Sequence, residues 1–522
     1  MLDPVIEVDV LIVGGGPVGL ATAVECSRNG LTCLVAERHP GTSIFPKARL
    51  ITTRTMELVR SWGLQDAVER AGLPREDSLA VGVASSLLAD DFHRAAASIE
   101  DDAPHSPTYA YICAQDEFEV ILKAHAEAQP GVDVRFGTRA TIPVQDADGV
   151  TAELSTGETV RARYCVAADG GRSPIRRSLG IEVDGPPPIG HMVSIMVEAD
   201  LAPRLEGRRC ALYFIRGEVP CAVEAVDNRR WMVQSGFEPD KGGSVDDFTP
   251  EVCVEIVKAA VGDPELDVRL IGIMPWLQQT VTARSYRSGR IFLAGDSAHV
   301  STPQGGFGMN CGIQDAHNLV WKLAAVLEGR AGEGLLDTYE AERHPIGVWT
   351  VAESLNNAMI TYAMMEGQLT LQESIEQQAG RRSSEGLVLG FSYDSAAVVP
   401  DGTPAPAPAD PYKTFVPAAR PGHRAPHVPL AENLSTLDLL GPGFTLLCPE
   451  GSGWPAVEID GVRVREVPGE AWAKEYEIGS DGAVLVRPDG HVAWRDAGGP
   501  ADAAVLRGAL DRVLARPSIR RP

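Results

Sequence analysis

Residues 9–37, DVLIVGGGPVGLATAVECSRNGLTCLVAE, decide how this chain folds. The apolar run at 9–13 has the length of a buried strand, 18–29 has helical spacing closed by Gly30, and 32–36 is a second apolar strand. Strand, helix, strand in this order form a βαβ unit, which implies a parallel sheet. At the first junction Gly14-Gly15-Gly16-Pro17-Val18-Gly19 fits G-x-G-x-x-G. Gly14 permits the tight turn, Gly16 lets a pyrophosphate approach the backbone, and Gly19 lets the helix pack close to the strand. Glu37 ends the second strand at the spacing of an acid that bonds a ribose hydroxyl. Its charge would repel a 2′-phosphate, so the bound adenosine should be that of FAD or NAD.

Two later segments have the same character. Residues 165–180, CVAADGGRSPIRRSLG, end an apolar strand at Asp169-Gly170, with Ser173 and Arg176 following. By itself this reads equally well as an acidic turn before a basic helix. Residues 290–315, RIFLAGDSAHVSTPQGGFGMNCGIQD, run from an apolar strand through Gly295-Asp296 into a Pro/Gly loop and a helix. An acid can take a sugar hydroxyl there, and free N–H groups at the helix start can take anionic oxygens. His299 in this turn reads more readily as structural than as catalytic.

The 522 residues exceed one ordinary core, so two or three domains are expected. A formal net charge of −24 argues against nucleic acid or an anionic membrane as partner. Arginines near the candidate segments (Arg49, Arg172, Arg176, Arg177) still allow an anionic cofactor. The nine cysteines show neither CxxC nor metal-ligand spacing, so no metal is expected and the thiols fit a reducing compartment. The apolar stretch 10–24 is broken by glycines and Pro17 and flanked by acids, unlike a signal peptide or a membrane span, so a cytoplasmic location is expected.

Helical spacing recurs at 53–62 and 117–128, and 134–166 reads as a small antiparallel ribbon. Over 182–282 strand-like runs (192–197, 211–214, 231–233) alternate with turns around one helix, 250–261, the texture of an inserted α+β module. Nucleotide-type texture resumes at 290, and a helical tract spans 312–378. The Pro/Ala-rich segment 400–411, PDGTPAPAPADP, reads as a linker. After it, runs at 444–448, 483–486 and 492–494 and a helix at 501–515 suggest a small α/β domain.

Taken together, these residues resemble the FAD-dependent aromatic hydroxylases of the para-hydroxybenzoate and phenol hydroxylase type, in which GxGxxG, DGxxSxxR and GDxxH with a glycine-rich loop occur in this order. FPKAR (45–49), ICAQDEFE (112–119) and LLDTYEAERHP (335–345) add to the likeness, and RPGHRAPH (420–427) and VRPDGHVAWR (486–495) resemble the C-terminal domain of the phenol hydroxylase branch. The chain looks most like the members that oxygenate aromatic polyketides in antibiotic-producing actinobacteria.

The resemblance implies an α/β fold: a GR2-type Rossmann-like FAD-binding domain in two parts (1–181 and 283–399), an inserted α+β substrate domain (182–282), a linker (400–411) and a thioredoxin-like C-terminal domain (412–522). That last domain lacks CxxC here, which leaves it without an evident redox task. The implied cofactor is bound FAD, reduced by transient NADPH or NADH. Dioxygen is the co-substrate, forming a flavin C4a-hydroperoxide that hydroxylates a phenolic ring. The implied FAD contacts are Gly14, Gly16, Pro17, Val18 and Gly19 at the pyrophosphate, Glu37 and Arg38 at the adenosine, and Arg49 and Gln115 nearby. Asp169 and Gly170 form a motif shared with the nicotinamide site, Asp296 holds the pyrophosphate or ribityl chain, and Pro303, Gly306, Gly308, Met309 and Asn310 meet the flavin ring.

From the insert, Tyr213, Phe214, Trp231 and Trp276 are expected to wall the pocket of a small aromatic substrate. A catalytic residue stays unknown: His191, Tyr213 and Gln234 qualify as a base by location alone. A monomer and a homodimer are both compatible with the sequence. Baeyer–Villiger oxygenation on the same fold and a non-catalytic metabolite-binding flavoprotein are the other readings. Flavin halogenation is disfavoured because no W-x-W-x-I-P segment occurs.

Overall fold

The computed structural model describes residues 5–75, 80–95, 104–370, 373 and 384–516. Its first sheet is built from the βαβ opening. Strands Ile291–Leu293, Thr159–Ala167, Val5–Val13, Cys33–Ala36 and Val132–Arg135 lie side by side and parallel, with Arg287–Ser288 antiparallel at one edge. The register places Val13 opposite both Ala36 and Ala167, and Ala167 opposite Leu293. Four strands therefore stop in line, and the residues after them (Gly14, Glu37, Asp169, Asp296) come to one edge. The antiparallel ribbon is smaller than expected. Val144–Gln145 and Val150–Glu153 form it, and Thr159–Ala167 joins it by one edge while its other edge pairs with Val5–Val13.

Helices Pro17–Arg28 and Phe307–Leu327 pack together over this edge, and glycine allows the approach. A Cβ on Gly19 would lie 1.9 Å from the Gly14 carbonyl oxygen, and one on Gly312 would lie 2.7 Å from Gly295 Cα. The expected tract 312–378 is two helices, Phe307–Leu327 and Asp337–Met365, separated by a turn. Its final residues 371–372 and 374–378 lie outside the described ones.

The second sheet has seven strands in the order Arg269–Gln278, Gly190–Glu198, Arg230–Phe237, Cys221–Ala225, Leu212–Ile215, Val81–Ala84, His93–Ala95. The last two come from upstream of 182–282, so this sheet is not confined to the insert as the sequence suggested. The short run Val81–Ala84 pairs parallel to Leu212–Ile215, a contact between distant segments that local patterning does not report. One face buries Val193, Ile195, Val223 and Val233 with Cys253 and Val257 of the helix Pro250–Val261. That helix is capped by the Thr249 hydroxyl and ends at Gly262 in the left-handed region (φ +82°).

The C-terminal unit is a four-stranded sheet, Val462–Val467, Phe444–Pro449, Ala483–Val486, Val492–Asp496, with the helix Ala503–Val513 capped by Asp502. Its core is continuous with Trp321, Ala325 and Leu335 of the first domain. Charged groups fix the same seam: Glu342 accepts from Arg487 and Lys322, all fully buried, and Glu57 pairs with Arg54 and Arg424. The segment 400–411 is no free linker. Asp401 pairs with Arg495 at 2.7 Å, and the Thr403 carbonyl accepts from Arg420 at 2.8 Å, so the start of the segment is tied to the domain it introduces. All nine cysteines are buried and none is in a disulfide. Among the described residues no helix is long and apolar enough to cross a membrane.

Candidate cofactor and substrate site

A single cavity of about 2,580 Å³ runs from the aligned strand ends to the inner face of the second sheet. At the first end it is lined by Gly14, Gly16, Pro17, Val18, Glu37, Arg38, Asp169, Gly170 and Asp296. Gly19 does not line it and acts through packing alone. Two helix N-termini open onto this end. Gly16 caps Pro17–Arg28 and Gly306 caps Phe307–Leu327, and neither cap is closed by a side chain. Both present unpaired N–H groups and the positive end of a helix dipole. The open side of Gly16 has no atom within 4 Å of where a Cβ would stand.

The acids around this edge differ in surroundings. Glu37 accepts from Gly15 N at 2.7 Å and from His39 N at 2.8 Å, which fixes its carboxylate beside the first glycine turn. Asp169 is lifted above the usual carboxyl range by burial, against its bonds to Ser173 and Ile175 N–H, and its Oδ1 has no partner. Asp296 opens onto the cavity and is otherwise enclosed by protein. That enclosure raises its carboxyl, while His299 and Lys47 pull it back. An orphaned acceptor, two uncapped helix starts and an open glycine edge fit a dinucleotide with a pyrophosphate and several hydroxyls.

Behind Asp296 lies a buried charge cluster. Asp315 accepts from His299 Nε2 at 2.7 Å, from Arg343 Nε at 2.7 Å and from Gly295 N at 3.1 Å, so it pins the turn that carries Asp296. Burial opposes the imidazolium, yet Cys311 and Asp315 hold His299 well above its ordinary range. His299, Cys311 and Asp315 offer ligand atoms within 4.8 Å of one another. Arg343 already supplies the positive charge there, its Nη2 lying 3.3 Å from Cys311 Sγ.

Several expected contacts have other partners. Arg49 lines the cavity, but its Nε pairs with Glu224 at 2.8 Å and its Nη1 bonds the carbonyls of Ala211 and Ala225 at 2.9 and 2.7 Å. It moors the 45–49 loop to the second sheet. Gln115 accepts from Ala48 N at 3.1 Å and donates to Glu119 at 2.7 Å, holding the same loop. Pro303, Gly306, Gly308 and Met309 line the cavity, whereas Asn310 lies behind it. There Asn310 bonds Thr52 N and the carbonyls of Leu50 and Gly306, stapling the loop.

At the far end, strand alternation sorts the aromatic candidates. Phe214 and Trp276 line the cavity. Tyr213 and Trp231 do not. Both are buried on the opposite face of the sheet, where the Tyr213 hydroxyl takes Cys210 N at 2.7 Å and Trp231 Nε1 donates to the Ala199 carbonyl at 3.2 Å. Successive residues of a strand point to opposite faces, so Trp231 cannot share a face with Met232 and Gln234. The lining instead includes Met192, Ser194, Met232, Gln234, Met274, Gln278 and, from the helix Asp337–Met365, Tyr362 and Met365. The sequence reading missed most of these because both faces of the sheet are covered, which removes the polar alternation that distinguishes them. His191 and Gln234 line the cavity, and Tyr213, the other base candidate, is excluded by its position.

Comparison with known proteins matches the FAD binding domain family over residues 7–354 and the C-terminal domain of aromatic-ring hydroxylases over 418–517. The chain is 40% identical to a tetracenomycin A2 monooxygenase-dioxygenase of Streptomyces glaucescens, over 98% of each chain. The fold superposes on the flavin-dependent monooxygenase PieE, solved with FAD and substrate, with a TM-score of 0.89 at 32% identity, covering 98% of this chain and 100% of that one. It superposes on an aklavinone-11 hydroxylase, solved with FAD and aklavinone, with a TM-score of 0.85 at 37% identity over 98% and 99%.

Proposed function

The chain belongs to the FAD-dependent aromatic-ring hydroxylases, and from that premise we propose that it uses NAD(P)H and dioxygen to hydroxylate a phenolic, multi-ring substrate of the aromatic polyketide kind. The observation that carries this reading is the continuity of the cavity. Its 2,580 Å³ is several times the roughly 300–1,000 Å³ of a pocket for one small ligand, which leaves room for a dinucleotide and a flat polycyclic compound together.

Bound FAD supplies electron transfer from the nicotinamide and the activation of dioxygen. The residues divide the remaining tasks. Gly14–Val18 and the start of Pro17–Arg28, which line the cavity, would hold the pyrophosphate, Glu37 the adenine ribose, and Asp296 the chain leading to the ring. The N–H groups around Gly306–Met309 would meet the flavin ring, and a helix N-terminus there would favour negative charge on it. Met192, Met232, Met274, Phe214 and Trp276 exclude water from the reacting end, which protects a reactive oxygen species from wasteful breakdown. Tyr362 also lines this end. Its hydroxyl donates to Gln278 Oε1 at 2.5 Å, and burial and Glu366 raise it, so it is held protonated and is no phenolate base. The C-terminal unit, thioredoxin-like in our reading, has Cys448 as its one cysteine, buried in the core, which fits a docking role.

The test is a panel of phenolic polycyclic compounds incubated with the FAD-loaded enzyme and NAD(P)H. Substrate-stimulated oxidation of NAD(P)H with a product whose NMR spectrum shows a new phenol supports the reading. An ester or lactone would assign Baeyer–Villiger chemistry, and binding with no turnover would assign a metabolite-binding flavoprotein.

A further inference from the structure

The substrate end of the cavity carries polar groups at two places: Gln278, bonded to Tyr362 and Gln304, and a short hydrogen-bonded chain on the sheet whose direction is set by chemistry. Trp276 Nε1 lies 2.9 Å from Ser194 Oγ, and an indole nitrogen can only donate. Ser194 Oγ accepts that bond and places its own proton on Gln234 Oε1 at 3.0 Å. No other partner for this hydroxyl is present among the described residues, so turning the Gln234 amide over would strand the serine proton. The Gln234 carbonyl is thereby engaged, and its NH2 group is the part left for the cavity.

The position of this chain supports a ligand role. Ser194 and Gln234 stand opposite each other on neighbouring strands, and Trp276 is on the strand beyond. All three are on the cavity face. Ser194 is 2% exposed and Gln234 partly open. Around them Met232 and Met274 offer no polar atom but sulfur. A donor aimed from a dry wall at a bound ring system costs desolvation unless the ligand supplies an acceptor.

We propose that Gln234, oriented by Ser194 and Trp276, is a specificity-determining residue that donates its amide N–H to a carbonyl oxygen of the substrate, so that the enzyme selects hydroxylated polycyclic ketones or quinones over otherwise similar phenols without the carbonyl. This rests on the hydroxylase reading and adds the carbonyl requirement to it. Gln234 neither gains nor loses a proton in this role, and it replaces the general-base function that its location alone had suggested.

The experiment compares binding of 1-hydroxyanthraquinone and 1-hydroxy-9,10-dihydroanthracene to the oxidised, FAD-loaded enzyme by calorimetry. The two share a tricyclic skeleton and differ in the carbonyls. The wild type is expected to prefer the quinone by about tenfold, the worth of one buried hydrogen bond. In Gln234→Leu and in Gln234→Glu, which puts acceptors where the donor was, the preference should vanish while affinity for the carbonyl-free compound stays within about threefold. Ser194→Ala frees the amide to rotate and should cut the preference with Gln234 still in place. Flavin content and circular dichroism report folding of each variant, and Ser194→Ala keeps the test open if a Gln234 variant fails to fold.

A preference that survives in Gln234→Leu or Gln234→Glu overturns the proposal. Equal binding of both compounds by the wild type overturns the donor assignment and leaves the hydroxylase reading standing. Binding of neither, with no phenolic compound stimulating NAD(P)H oxidation, overturns both.

Discussion

Asp296 shows how much of the site is built by backbone. It lies on a turn whose Gly295 N–H is held by buried Asp315, and Asp315 is itself held by His299 and Arg343. Replacing Asp296 by Ala removes a cavity-facing carboxylate and leaves that scaffold intact. FAD affinity should fall by about tenfold or more with the fold unchanged, read as flavin-to-protein ratio after gel filtration and an unshifted circular dichroism spectrum. Unchanged flavin content would remove Asp296 from the cofactor's contacts. At this scale the sequence was legible where function depends on backbone: Gly14, Gly16 and Gly306 announce themselves because the turn or the open edge requires glycine. What it did not show is the protein partners of Arg49, Gln115 and Asn310, of which the first two line the cavity. Each is long enough to choose among distant partners, and the Ala211 and Ala225 carbonyls that Arg49 takes lie more than a hundred residues away.

Elements obey tighter rules, and the clearest concerns the seven-stranded sheet. Its two faces are both apolar in sequence, one covered by a helix and the other by the cavity, so Trp231 and Trp276 look alike until pairing fixes their parity. Parity makes a sharp expectation. Trp231→Ala should destabilise the fold by about 3–5 kcal/mol and leave ligand affinity nearly unchanged in the folded fraction. Met232→Ala, one residue on, should weaken polycyclic ligand binding with a smaller loss of stability, although it too is largely buried. Urea titration and calorimetry read the two effects, and equal effects at both positions would mean the faces are misassigned.

The first helix gives a second case. Gly19→Ala drives a methyl into the Gly14 carbonyl, 1.9 Å away, so strand and helix must part. A loss of about 1–3 kcal/mol in denaturant, with FAD lost in parallel, is the expected outcome. The strand–helix–strand signal was readable here because both periodicities and the glycines lie within 29 consecutive residues.

Across the whole molecule, the C-terminal unit is joined to the cofactor domain by buried ion pairs and shared core. Burial alone would raise Glu57, but Arg424 and Arg54 outweigh it and leave its carboxyl below the usual range. A carboxyl depressed in the folded state adds stability that is present above its unfolded pKa, about 4.3, and is lost as pH falls through the window below. Melting temperature should therefore decline below about pH 4, and Glu57→Gln should lower it at neutral pH and flatten the acid decline. An acid profile identical in wild type and variant would separate Glu57 from the acid response. The sequence signalled a separate C-terminal domain, yet the Pro/Ala segment before it is bound down through Asp401 and Thr403. Composition reports flexibility of an isolated chain, and tertiary partners override it.

The cavity links all three scales, since residues set its polar points, strand parity its wall, and domain docking its enclosure. The most direct measurement of what it does is turnover under isotopically heavy dioxygen, with FAD-loaded enzyme, NAD(P)H and a hydroxylated polycyclic ketone. The expected result is a new phenolic hydroxyl carrying heavy oxygen, with NAD(P)H consumed only when substrate is present. Product oxygen drawn from water, or NAD(P)H oxidation that ignores every phenolic compound offered, would contradict oxygenation of an aromatic ring at this site.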